Sequence, residues 1–101
     1  MKLWIDDVRT APTGYLWAKS VEDAKAFIVM SEASMSGFAA CEIIDTDHDA
    51  GDYGPPDYIK ILDWLEETGR SYPIRIHSQN PVGVENMRRI IERNGWREVR
   101  L

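Results

Sequence analysis

Three short apolar runs in this chain stop abruptly at clusters of polar, chemically capable side chains. Nothing else in the sequence constrains the fold as much. Leu3-Trp4-Ile5 gives way to Asp6-Asp7, Cys41-Glu42-Ile43-Ile44 to Asp45-Thr46-Asp47-His48-Asp49, and Pro73-Ile74-Arg75-Ile76-His77 to Ser78-Gln79-Asn80. Runs this short, bounded by turn-forming residues, read as buried strands. Helical stripes lie between and after them. Ser20 is an N-cap with Asp23 three residues on, and Val21, Ala24, Phe27 and Ile28 predict a helix over residues 21–30. A loop is expected over 31–37. Pro55 and Pro56 precede a second helix whose buried face is Tyr58, Ile61, Leu62 and Leu65, with Gly69 at its C-cap. Asn80 as N-cap and Pro81 as first residue open a third helix, carried by Val84, Met87, Ile90 and Ile91 and closed by Asn94-Gly95. After a loop over 8–14, Tyr15-Leu16-Trp17-Ala18 reads as an aromatic-rich strand, and residues 96–101 read as a last one.

The resulting order, β–β–α–β–α–β–α–β, predicts a parallel α/β sheet in a single domain over residues 1–101. In open sheets of this kind ligands bind at the carboxyl ends of the strands, which is where the polar clusters fall. Composition narrows the function classes. The longest apolar run, residues 26–30, is far short of a membrane span, and the N-terminus has no stretch long enough for a secretory signal, so no membrane association is expected. A net charge of −5 disfavours duplex DNA as a partner. Cys41 is the only cysteine and reads as a small core residue; with no intrachain disulfide possible, a reducing, cytoplasmic setting is expected. No Walker loop, GxGxxG, CxxC pair or HExxH occurs.

Each cluster has a chemical and a bland reading. Adjacent Asp6 and Asp7 suit a hard cation such as Mg²⁺, or form a solvated acidic turn beside Arg9. Asp47-His48-Asp49 brings a further carboxylate and an imidazole suited to general acid–base work near neutrality, or is an exposed acidic loop. His77 stands beside Ser78 and Asn80, hydroxyl and amide donors at a helix N-terminus that favours a phosphate; Gly83 permits close backbone approach. The alternative there is plain capping by Asn80 with His77 in the core. Both histidines of the chain fall at strand ends, where two imidazoles across one phosphate could act as base and acid.

These residues resemble the response-regulator receiver domain, and more closely the divergent cyclic-phosphate processing receiver domain. The resemblance is carried by Leu3-Trp4-Ile5-Asp6-Asp7-Val8-Arg9, by Asp47-His48-Asp49 with Gly51-Asp52, and by His77-Ser78-Gln79-Asn80-Pro81-Val82-Gly83 with Asn86-Met87. It implies a flavodoxin-like, receiver-like sheet of order 2-1-3-4-5, from which this chain is expected to depart in lacking the helix after the first strand, where residues 8–14 with Pro12 and Gly14 make a poor helix, and the final helix. It implies phosphoesterase-like processing of a cyclic or terminal phosphate on a nucleotide or RNA end. His48, His77 and Asp47 would be catalytic; Ser78, Asn80 and Gly83 would hold phosphate; Asp6, Asp7 and Asp47 would hold Mg²⁺. A non-catalytic module that binds a phosphorylated ligand or a protein partner is the alternative. Ordinary receivers carry a lysine after the fifth strand; its absence here argues against phosphoryl transfer to Asp47. One sheet face is expected to lack helices, to be covered by the 8–14 loop with Tyr15 and Trp17, and to offer a surface for a homodimer or a protein partner.

Overall fold

The computed structural model describes residues 1–33, 40–49 and 57–100. Its elements are β1 (Lys2–Ile5), β2 (Tyr15–Ala18), α1 (Val21–Glu32), β3 (Ile43–Thr46), α2 (Ile59–Glu67), β4 (Ile74–Ile76) and α3 (Pro81–Asn94). The strands form one parallel sheet in the order β2-β1-β3-β4. This is the receiver-like arrangement, with nothing helical between β1 and β2.

Topology decides which face the helices cover. After β2, every crossover steps in the same direction across the sheet. Right-handed connections therefore place α1, α2 and α3 on one face. α2 packs against both α1 and α3. Strand alternation turns Leu3, Ile5, Leu16, Ala18, Ile44 and Ile74 toward this layer, where they meet Ala24, Ile28, Leu62, Leu65, Met87 and Ile91 in one core. Tyr58, wholly buried, donates its hydroxyl to the Lys19 carbonyl at 2.6 Å and so ties the start of α2 to the end of β2.

Only the β1–β2 connection steps the other way, and it lies over the opposite face. Trp4, Tyr15, Trp17, Asp45 and Arg75 project there from the strands. The Trp4 indole N–H donates to the Arg9 carbonyl (2.9 Å) and that of Trp17 to the Asp6 carbonyl (2.7 Å). Tyr15 meets Trp4 edge to face, with ring centres 6.0 Å apart. The Trp4 indole thus anchors the 8–14 segment at Arg9, while Trp17 holds the chain at Asp6 just before it.

Several boundaries differ from the sequence reading; β4 is confined to Ile74–Ile76 and α2 has Thr68, not Gly69, at its C-cap. α1 runs two residues further, to Glu32, because Ser31 is accommodated: its hydroxyl donates to the Ile28 carbonyl at 2.7 Å. The third strand lies at Ile43–Thr46 rather than 41–44, so Asp45 and Thr46 are strand residues with no solvent exposure. The expected strand over 96–101 is, among the described residues, a single parallel bridge between Ile74 and Glu98. Ile74 N–H donates to the Arg97 carbonyl and Val99 N–H to the Ile74 carbonyl. The segment thus takes the fifth position without becoming a strand. Residues 34–37, Gly51, Asp52, Pro55, Pro56 and Leu101 lie outside the described residues. Among the described residues no helix is long and apolar enough to cross a membrane.

Candidate functional site

Two histidines stand at the strand-end edge in different surroundings. His77 follows β4 and is buried between two carboxylates. Its Nδ1 lies 2.6 Å from Asp45 Oδ1 and its Nε2 2.9 Å from Asp6 Oδ2. The ring stacks on Trp4, with centres 3.8 Å apart and planes within 5°. Both ring nitrogens thus lie within hydrogen-bond distance of a carboxylate, and neither is left open. Arg75 reaches the other Asp45 oxygen at 3.3 Å, and the Arg9 guanidinium donates to the His77 carbonyl at 2.8 Å. No buried side-chain nitrogen or oxygen among the described residues lacks a partner.

Asp6 is 1% exposed. Burial by itself would raise its pKa. The N–H groups of Arg9 and Val8, which donate to Oδ1 at 2.9 and 2.8 Å, together with His77 hold it below the ordinary carboxylate value instead. Asp6 thus stays ionised at the end of β1. Register places Ile5 beside Thr46, so the residues that follow, Asp6-Asp7 and Asp47, come off neighbouring strands side by side. One oxygen from each of Asp6, Asp7 and Asp47 lies within 4.8 Å of the others. Three hard carboxylate donors, with Asp6 already engaged by Val8, Arg9 and His77, fit a small divalent cation that keeps several waters. His48, Asp49 and Asp57 bring a second set of candidate ligand atoms within 4.8 Å of one another.

His48 is held differently. Its backbone N–H donates to Asp47 Oδ1 at 2.7 Å, and its carbonyl accepts from the Tyr58 N–H at 2.9 Å, which fixes the segment between β3 and α2. Its Nδ1 lies 2.7 Å from Asp49 Oδ1, so Nδ1 is the nitrogen engaged by this carboxylate. Among the described residues Nε2 has no hydrogen-bond partner. The Asp49 carboxyl is held below its usual range first by His48 and further by Asn80, whose amide donates to it at 3.2 Å. The imidazole lies flat against the first turn of α3. A Cβ on Gly83 would fall 2.4–2.7 Å from its ring atoms, so only glycine admits His48 there.

The expected phosphate ligands are partly committed. Asn80 caps α3, its Oδ1 accepting from Gly83 N–H at 3.0 Å while its amide orients Asp49. Ser78 Oγ accepts from the Asn80 N–H at 3.1 Å and keeps its own hydroxyl proton to donate. Beside this turn an open depression of about 440 Å³ runs along α3, lined by Pro81, Val82, Glu85, Asn86 and Arg89. The residues that reading the sequence passed over are Asp45, Arg75 and Trp4, with Asp49 noted but given no role. Their signal is register: Asp45 pairs across with Arg75 and Trp4, on the face that β4 also gives to His77.

The sequence profile of the cyclic-phosphate processing receiver domain matches residues 1–93. Comparison with curated proteins and with solved structures yields no match.

Proposed function

Starting from the fact that this chain belongs to the cyclic-phosphate processing receiver domain family, we propose that it opens a cyclic phosphate, or removes a terminal one, on a nucleotide or RNA end, with His48 as its proton-moving group. One observation carries the reading. An Asp49–His48 pair is locked against α3 with Nε2 free, and its neighbour Asp47 belongs to the Asp6–Asp7–Asp47 carboxylate group.

As water attacks phosphorus, its proton passes to His48 Nε2. The proton returns to the departing ribose oxygen as the ring P–O bond breaks, leaving a monoester. Asp49 holds the tautomer and offsets the charge of the transient imidazolium. Ser78 Oγ–H is the donor suited to a phosphate oxygen. A divalent cation held by Asp6, Asp7 and Asp47 would supply positive charge against the phosphate. His77, both nitrogens engaged, keeps Asp6 in place rather than exchanging protons with substrate.

The test is a panel of 2′,3′-cyclic mononucleotides and of 3′- and 5′-phosphorylated nucleotides, with Mg²⁺ or with EDTA, products resolved by chromatography. The reading expects a monoester or free phosphate from at least one of them. No turnover of any under either condition would refute it. Activity undiminished by EDTA would remove the cation alone.

A further inference from the structure

The solvent side of α3, next to the site, carries a stripe of side chains that no step proposed above uses. Val82, Glu85, Asn86 and Arg89 recur at the i, i+3, i+4 and i+7 spacing of one helix face, and with Pro81 they line the open depression of about 440 Å³. Gly83, against which the His48 ring lies, sits between Val82 and Asn86 on the same two turns, so the depression adjoins that ring. Val82 is 70% exposed, an apolar surface in the first turn. The side chains of Glu85, Asn86 and Arg89 make no hydrogen bond and no ion pair among the described residues. An ionised Glu85 only accepts, Arg89 only donates, and Asn86 does both. Of the four bases, guanine alone offers two adjacent donors, N1–H and N2–H, to a carboxylate and two adjacent acceptors, O6 and N7, to a guanidinium or an amide.

We propose that this stripe is the base subsite of the site described above and that it selects guanine, with Glu85 as the specificity-determining residue. The inference rests on the function proposed above and adds which base the substrate carries. With the phosphate at Ser78 and His48, the ribose extends along α3 and the purine lies on Val82. Glu85 accepts from N1–H and N2–H, while Arg89 and the Asn86 amide donate to O6 and N7. These two edges of guanine adjoin, as Glu85 and Arg89 do at i, i+4, with roughly 5–6 Å between their Cβ atoms.

The test is calorimetric titration of the wild type and of Glu85→Gln with guanosine 3′-monophosphate and with uridine 3′-monophosphate. The kcat/KM for the two corresponding 2′,3′-cyclic nucleotides is measured in parallel. A bidentate base contact predicts that the wild type favours guanosine by ~5–150-fold in Kd and in kcat/KM. Glu85→Gln puts a donor where one of the two acceptors stood and should cut that preference at least ~5-fold. A merely structural defect would weaken both nucleotides alike and leave the ratio where it was. No binding of either monophosphate, equal binding of the two, or a preference that Glu85→Gln leaves intact overturns the base subsite; turnover of the cyclic nucleotides would then leave the catalytic reading standing. A Glu85-dependent preference in binding, without turnover of either cyclic nucleotide, upholds the subsite and counts against the catalytic reading instead.

Discussion

Replacing Asp45 by Ala removes the carboxylate that holds His77 Nδ1 at 2.6 Å and leaves an imidazole side chain only 8% exposed with one partner. Breaking a buried charged pair from one side costs about 3–5 kcal/mol. The second contact, to Arg75 at 3.3 Å, adds less, because that side chain is one-third exposed and such pairs contribute about 0.2–1 kcal/mol. A domain of this size has a total stability of roughly 5–15 kcal/mol, so the loss is a large share of it. The melting temperature should fall by about 12 °C or more. Asp45→Asn keeps an acceptor for Nδ1–H and should cost less, about 1.5–3 kcal/mol. Urea unfolding followed by tryptophan fluorescence reads both, since Trp4 stacks on the His77 ring. A cycle with His77→Phe isolates the pair. Once the imidazole is gone, Asp45→Ala should cost at least ~1.5 kcal/mol less than it does in the wild type. A single-variant cost below ~1 kcal/mol, or strictly additive costs, would refute the clamp.

Further outcomes follow from the same geometry. Gly83→Ala should push the His48 ring aside and lower turnover ~10-fold or more, with helical circular dichroism retained; unchanged turnover would mean that the ring position does not matter. Asp6, ionised below its ordinary value of 3.8, contributes stability that is fully present above that pH and lost as pH falls through its lower folded value. The stability difference between wild type and Asp6→Asn should therefore shrink below pH ~4, and a difference that persists to pH 2 in acid-titrated urea melts would contradict the assignment. Asp49→Asn should lower turnover by weakening the hold on the His48 tautomer, with a smaller effect on binding of a phosphate analogue; equal losses in both would point to a purely structural role.

The fold was legible because the punctuation is local. Ser20, Asn80-Pro81 and Gly95 act as the caps their chemistry predicts, with Gly95 in the left-handed conformation that closes α3. The boundaries of β3 were not legible. Asp45 and Thr46 break an apolar run, and the rule that buried strands are apolar places the strand two residues early. Only the partner on β4 makes a buried aspartate tolerable, and that pairing is a tertiary fact. The same blind spot hid the different surroundings of the two histidines. Sequence places both at strand ends, but only packing shows His77 enclosed by Asp45, Asp6 and Trp4 while His48 keeps a nitrogen free. The reduced fifth strand has a plain cause as well, since Arg97, Glu98 and Arg100 leave little apolar alternation and Glu98 is drawn to Arg88 on α3.

The central claim is that His48 moves the proton. Phosphorus NMR of 2′,3′-cyclic uridine monophosphate, incubated with Mg²⁺ and either wild type or His48→Ala, tests it most directly. The account predicts that the cyclic phosphate signal gives way to a monoester signal with the wild type, and that the variant slows this conversion by ~10²–10⁴ while its urea midpoint stays close to that of the wild type. Conversion by His48→Ala at the wild-type rate would contradict it.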